Sequence, residues 1–252
     1  MSDPSPALPP GFQLVAFDTI GSTNDEAKAL ARRGAPDGTL VWAREQVAGR
    51  GRRGRTWVSP PGNLYLSVVS RPGGAPVNAA QLGFVAALGL AGALDELVGP
   101  RLQLSFKWPN DLLAHGRKLA GILLESETGT SGAVDFVVIG MGVNVASAPT
   151  DLEYPATSLR AEGYRDVTPA ALLGGVVRHL EQWERRWHDG GFAPIRQAWV
   201  ARARGIGDAI RVRLEGETLE GRFLDLDEDG ALLLVTAGGH RRIAAGEVFP
   251  AA

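Results

Sequence analysis

The stretch 45–57 reads Glu-Gln-Val-Ala-Gly-Arg-Gly-Arg-Arg-Gly-Arg-Thr-Trp, and its pattern suits neither a helix nor a strand. Gly49, Gly51 and Gly54 alternate with Arg50, Arg52, Arg53 and Arg55. Glycine disfavours element interiors, and no apolar periodicity runs through the segment. An apolar run precedes it (Thr39-Leu-Val-Trp-Ala43) and another follows (Asn63-Leu-Tyr-Leu-Ser-Val-Val69). Both runs read as strands, so the fold must hold an arginine-rich loop with a sheet strand at each end.

Glycine lets backbone N–H groups approach a ligand closely. Arginine offers a planar fork of donors that matches phosphate and carboxylate oxygens. The loop therefore suits closure over a polyanion. Arg/Gly-rich segments also serve as RNA-binding stretches or linkers, and the loop alone leaves that reading open.

The whole chain argues against a general nucleic-acid binder. Its 252 residues carry a net charge of −2, whereas such domains are usually strongly basic. The absence of cysteine excludes a disulfide framework, a thiolate nucleophile and a thiolate metal site, which fits the cytoplasm. Residues 1–11 are proline-rich, lack a signal-peptide pattern and read as a disordered lead-in. Residues 79–94 are uncharged, but short for a membrane span of roughly 20 residues, and read as a buried helix.

In chain order, residues 11–20 read as a strand and 22–33 as a helix ending at Gly34. Ser22 with Asp25, or Thr23 with Glu26, makes a capping-box start, and local pattern favours that role. A Ser-Thr-Asn cluster at a helix start can also hold a neutral polar ligand. Residues 77–98 read as a core helix, 102–108 as a strand broken by Pro109-Asn-Asp111, and 118–127 and 133–139 as further strands. A helical stretch covers 169–203, interrupted near Gly190-Gly191. These elements give a mixed sheet with a helical cover in residues 12–204. Short strands at 208–214, 218–224, 231–235 and 240–244, separated by glycine turns, give a small β-barrel in residues 205–252.

Lysine occurs only at Lys28, Lys107 and Lys118 among 26 basic residues. Lys107 ends a strand, where a compact ammonium can bridge a carboxylate and a phosphate; a snorkelling surface lysine is the plain alternative. Gly140-Met-Gly-Val-Asn144 lacks the third glycine of a dinucleotide motif and continues a strand pattern. The four histidines make no zinc spacing. No P-loop and no Gly-x-Ser-x-Gly elbow is present.

Five motifs then occur in order: Gly21-Ser-Thr-Asn24, the arginine loop from Glu45 to Arg55, Lys107-Trp-Pro-Asn-Asp111, Lys118-Leu-Ala-Gly-Ile-Leu123 and Gly140-Met-Gly-Val-Asn144. Together they resemble the biotin protein ligases, from about Phe12 to the C-terminus. The resemblance implies an α+β fold: a mixed β-sheet with helices on one side, of the class II aminoacyl-tRNA synthetase-like kind, plus a small C-terminal SH3-like β-barrel. It matches the form without the N-terminal DNA-binding domain of the bifunctional members.

The implied reaction activates biotin with ATP as biotinyl-5′-AMP. A specific lysine of a biotin carboxyl carrier domain then takes the biotinyl group. Carried over position by position, Ser22, Thr23, Asn24 and Gln46 meet the ureido ring or its surroundings. Arg50, Gly51 and Arg52 cover the biotin carboxylate and adenylate phosphate, with Arg50, Arg52 and Lys107 as the catalytic set. Trp57 matches a family tryptophan near the adenine, or packs in the core. Lys118 and Asn144 join the pocket. Mg²⁺ accompanies ATP with no protein ligand assigned. DNA and membrane partners are not expected; monomer and homodimer both stay open. The alternatives are a lipoate or octanoate ligase of the same fold, which the polar Ser-Thr-Asn and Gln46 set disfavours, and an Arg/Gly-loop RNA-binding protein.

Overall fold

The computed structural model describes residues 6–130, 132–150 and 152–251. Residues 1–5 of the lead-in expected to be disordered lie outside the described residues. The larger sheet contains β1 (Gln13–Ile20), β2 (Thr39–Gln46), β3 (Leu64–Ser70), β4 (Leu104–Lys107), β5 (Asp111–Ala114), β6 (Arg117–Thr128) and β7 (Val134–Val143). Their order is β1-β2-β3-β7-β6-β5-β4. Only β1 and β2 run parallel; the other neighbours are antiparallel, giving a mixed sheet.

Strand periodicity divides the apolar residues between the two faces. Leu40, Trp42, Leu66, Val68, Val137 and Ile139 join the main core with α2 (Pro76–Val98) and α3 (Pro169–Gly190). Val41, Val69, Phe136 and Val138 face the other way, onto Ala27 and Ala31 of α1 (Thr23–Arg32). The long helices thus cover one face, and α1 covers part of the other. β3 is buried along its whole length, as suits a strand covered on both faces.

α2 is long and apolar enough to cross a membrane by length and composition, but 72% of its apolar window is buried in the protein. Gly89 lets it approach α3: a Cβ there would lie 3.0 Å from the Leu180 backbone. α4 (Phe192–Val200) completes this layer.

Two short strands carry weak sequence signals. Pro109-Asn110 does not end the sheet but makes a tight turn, and β5 returns beside β4 with Lys107 opposite Asp111. In the smaller sheet, β8 (Ala209–Arg213), β9 (Thr218–Leu226), β10 (Leu232–Thr236) and β11 (Gly239–Ile243) fall near the expected positions. A fifth strand, β12 (Glu247–Pro250), adds to β8. The order is β11-β10-β9-β8-β12, all antiparallel, SH3-like but without pairing between the end strands.

The two sheets are joined beside the strand that ends in Lys107. Phe106 exchanges backbone hydrogen bonds with Arg202 and Arg204, covering the outer edge of β4. Phe106 stacks on Trp199, which meets Phe84 edge-on at 5.3 Å. The Trp108 indole N–H donates to the Gly230 carbonyl in the β9–β10 turn at 3.0 Å.

Candidate active site

The arginine loop is folded back on its own stem. Trp57 N donates to Gly49 O at 2.9 Å, and Gly51 N donates to Arg55 O at 2.7 Å. A Cβ on Gly49 would sit 2.4 Å from the Trp57 carbonyl oxygen, so only glycine allows this closure. Arg52–Gly54 forms one 3₁₀ turn, with Arg53 left-handed at φ 55°.

Arg50, Arg52 and Arg55 are each anchored to a different part of the fold. Arg50 Nη2 lies 2.6 Å from Asp25 Oδ1 and 2.8 Å from Glu125 Oε2. Arg52 donates to Asn110 Oδ1 at 3.4 Å and to the Gly246 carbonyl at 3.2 Å. Burial, then the neighbouring Arg53 charge, lowers the Arg52 pKa. Arg55 Nη2 reaches Glu247 Oε2 of β12 at 2.7 Å.

Below the loop lies a buried polar wall. Ser22 occupies the N-cap position with extended backbone (φ −153°, ψ 132°), but its side chain bonds no helix N–H. The capping-box expectation therefore fails. The sheet beneath supplies the partners instead. Thr23 donates from its backbone N (2.8 Å) and its hydroxyl (3.1 Å) to Gln46 Oε1. Gln46 Nε2 donates to Ser59 Oγ at 3.0 Å. Ser67 Oγ lies 2.8 Å from Thr23 Oγ1 and 2.6 Å from Asn24 Oδ1. Asn24 Nδ2 donates to Glu125 Oε2 at 2.8 Å, and Lys28 Nζ donates to Glu125 Oε1 at 2.8 Å. Burial pushes the Glu125 pKa up, but Lys28, Asn24 and Arg50 outweigh it and hold the carboxyl below its usual range.

Opposite the wall stand two ammonium groups on one carboxylate. Asp111 Oδ2 is 3.2 Å from Lys107 Nζ, and Asp111 Oδ1 is 2.6 Å from Lys118 Nζ. Burial raises the Asp111 pKa, but the two lysines overcome this and hold it low. Burial lowers the Lys107 pKa against the pull of Asp111. The Lys107 ammonium faces the rings of Tyr154 at 4.8 Å and Phe249 at 5.7 Å, both cation–π contacts. Lys107 is thus a buried group between an acid and two aromatic faces, not a surface lysine.

Trp57 lies flat over the strands β6 and β7. A Cβ on Gly142 would fall 2.5 Å from its indole nitrogen, and one on Gly121 would fall 3.1 Å from its ring. Lys118 Nζ sits 5.3 Å from the same ring. Asn144 is buried and donates to the Thr157 carbonyl at 3.1 Å, fixing the segment that leads to Tyr154.

All the residues singled out from the sequence line one pocket: Ser22, Thr23, Asn24, Gln46, Arg50, Gly51, Arg52, Trp57, Lys107, Lys118 and Asn144. Asp111, Tyr154, Glu247 and Phe249 line it too and were not singled out. Asp111 stood inside a quoted motif, where it read as part of a strand break. Tyr154 and Phe249 are isolated aromatics with no local signal. Among the described residues, no group of three or more His, Asp or Glu side chains could hold a metal ion. The pocket can therefore hold a neutral polar group at one end and paired anions at the other.

Comparison with known proteins agrees with this layout. Residues 16–144 match the model of the biotin/lipoate A/B protein ligase family, and residues 205–249 match the biotin protein ligase C terminal domain. A biotin--[acetyl-CoA-carboxylase] ligase of Paracoccus denitrificans is 45% identical over 233 residues, covering 90% of this chain and 96% of that protein. The biotin protein ligase from Aquifex aeolicus, solved in complex with biotin and ATP, superposes with a TM-score of 0.79 at 26% identity. That match covers 94% of this chain and 97% of the Aquifex chain. The Leishmania major biotin protein ligase, solved with biotinyl-5-AMP, shares the fold at a TM-score of 0.63 and 24% identity, covering 94% and 100% of the two chains.

Proposed function

The chain belongs to the biotin/lipoate A/B protein ligase family, and we infer that it is an ATP-dependent enzyme that forms biotinyl-5′-AMP and biotinylates a biotin carboxyl carrier domain. The observation that carries this reading is the sharing of one pocket. Its lining brings together a hydroxyl and amide cluster, two lysines and the arginine loop. A ureido ring needs acceptors for its N–H groups and donors for its carbonyl, and Ser22, Thr23, Asn24 and Gln46 offer both. A lipoyl or octanoyl chain carries no urea to use this polar cluster, which disfavours the alternative ligase.

In the first step, a carboxylate oxygen of biotin attacks the α-phosphorus of ATP and pyrophosphate leaves. The reactants are both anions, so neutralising and positioning them is the main task. Lys107 and Lys118 supply ammonium charge at the pocket floor, and Arg50, Gly51 and Arg52 close it from the loop side. Asp111 keeps the two lysines together between turnovers. Trp57 offers a flat apolar wall beside them. In the second step, the carrier lysine amine attacks the carbonyl of the mixed anhydride, AMP leaves, and the amine loses a proton. A closed loop keeps water from the anhydride until the carrier arrives.

Magnesium enters this scheme as the companion of ATP. The pocket carboxylates Asp111, Glu153 and Glu247 are each engaged by Lys or Arg, so the described residues present no metal cage of their own. Mg²⁺ commonly binds through substrate phosphates and water, which fits that arrangement. In this reading residues 12–204 form the biotin- and ATP-binding catalytic domain, and the small C-terminal unit of residues 205–252 adds Glu247 and Phe249 to its pocket. The enzyme works in the cytoplasm, as a monomer or homodimer, without DNA or a membrane. Biotin-dependent exchange between ATP and labelled pyrophosphate tests the first step. Exchange that responds to lipoate and not to biotin would overturn the reading.

A further inference from the structure

One hydrogen-bond chain runs beneath the pocket, and both its ends lie on the arginine loop. From the Trp57 carbonyl it passes to Ser59 (2.8 Å), Gln46 (3.0 Å), Thr23 (3.1 Å), Ser67 (2.8 Å), Asn24 (2.6 Å), Glu125 (2.8 Å) and Arg50 (2.8 Å). Counting protons along it gives a direction. An ionised Glu125 only accepts, so the Asn24 amide turns its NH₂ toward it. The Asn24 carbonyl then faces Ser67 and can only accept, so Ser67 gives its single proton to Asn24. Ser67 keeps lone pairs alone for Thr23. The Thr23 proton goes to Ser67 or to Gln46 Oε1, and in either case Thr23 Oγ1 keeps a lone pair free of any donor from the sheet.

We propose that Glu125 is a positioning residue that sets the polarity of this relay, so that the wall presents acceptors to a ligand bearing N–H donors, such as a cyclic urea. The proposal rests on the biotin reading above. A carboxylate is the strong terminus such a chain needs, because hydrogen bonds to an ionised acceptor are about twice as strong as neutral ones. Polarised links also strengthen one another in a low-dielectric interior. Ser67 is fully buried and Asn24 nearly so, which puts the middle of the chain in such an interior. Neither Glu125 nor Ser67 lines the pocket, so neither acts by touching the ligand. Glu125 also receives Arg50 and Lys28, so its loss could act at the carboxylate end of the ligand instead.

Calorimetric titration without ATP separates the two routes. Wild type, Glu125→Gln and Ser67→Ala are each titrated with biotin and with biotinamide, which keeps the urea but lacks the carboxylate. A Gln side chain can turn either end of its amide to Asn24, so it no longer imposes a direction. Both variants are expected to lose about tenfold or more in affinity for both compounds, as befits one buried hydrogen bond to a charged group. A Glu125→Gln loss confined to biotin would overturn the relay and assign Glu125 to Arg50 alone. Wild-type affinity in Ser67→Ala would overturn it too, and this variant leaves every Glu125 ion pair in place should Glu125→Gln fail to fold. A wild-type chain that binds neither compound is a different failure, that of the biotin reading itself.

Discussion

Trp108 donates its indole N–H to the carbonyl of Gly230, so the residue beside Lys107 is bolted to a turn of the smaller sheet. Gly230 is left-handed at φ +87°, and a Cβ there would lie 2.6 Å from the Phe84 ring. Gly230→Ala therefore combines backbone strain with overpacking and should cost about 1–3 kcal/mol. In a chain of this size, thermal melting should fall by about 2–4 °C per kcal/mol. Adenylate formation should fall with it, since the turn that carries Lys107 loses its brace. Unchanged melting and activity would show that the two sheets do not depend on this contact.

Lys107→Ala should weaken adenylate formation far more than it weakens the fold. Asp111 keeps Lys118 at 2.6 Å in the variant, so no buried charge is left alone. The lost charge-assisted contact is worth about 1.5–3 kcal/mol, or roughly a 10- to 150-fold drop in kcat/KM. Pyrophosphate exchange reports the activity and circular dichroism the melting point. Normal exchange by the variant would remove Lys107 from the catalytic set.

The pH profile identifies the same ammonium independently. Burial lowers the Lys107 pKa from 10.5, so the charged form is lost at a lower pH than for a free lysine. The kcat/KM for adenylation, which reports the free enzyme, should therefore fall on the alkaline side earlier than an ordinary lysine would allow. Lys107→Arg, whose guanidinium stays charged, should carry that limb to higher pH even if its maximum rate is reduced. An alkaline limb that does not move would assign it to another group.

The parts legible in the sequence are those whose signals are local. Apolar runs and strand patterns located β1 to β4, β6 and β7, and glycine turns located β8 to β11. The pocket motifs were legible because each sits at an element end, where the sheet opens to a loop. β5 and β12 were missed because four residues hold too little periodicity, and because Pro109-Asn110 read as a breaker ahead of β5. Ser22 was misread for the opposite reason. Its local pattern is a complete cap, and only the long-range partners Gln46, Ser67 and Glu125 show what the polar cluster faces instead. Phe249 reaches Lys107 solely through the docking of one sheet on another, which no local pattern records.

Glu184 on α3 gives a stability prediction away from the site. Burial, with Asp37 and Glu181 nearby, pushes its pKa from 4.5 up to about 7. Its folded state holds a proton that the unfolded chain releases. Its contribution to stability is therefore full below about pH 4.5 and lost as pH rises through about 7. Glu184→Gln should flatten the dependence of melting temperature on pH across that window and raise it at pH 8. Equal slopes for variant and wild type would show that the carboxyl is already ionised in the fold.

The arginine loop is held by ties that a ligand can replace. Arg50 and Arg55 keep 37% and 57% of their side chains exposed in their ion pairs with Asp25, Glu125 and Glu247. Exposed pairs of this kind are typically worth about 0–1 kcal/mol each and weaken with salt. Local opening of such a segment is therefore cheap, and trypsin should cut at Arg50, Arg52, Arg53 or Arg55 before it cuts the strands. Biotin with ATP places a carboxylate and a phosphate against the same guanidinium groups, in a site with less water. Cleavage should slow several-fold with both ligands together, slow less with biotin alone, and quicken at high salt without ligand. The fragments are sized by mass spectrometry, and a cleavage rate indifferent to biotin plus ATP would mean that the loop does not close over the adenylate.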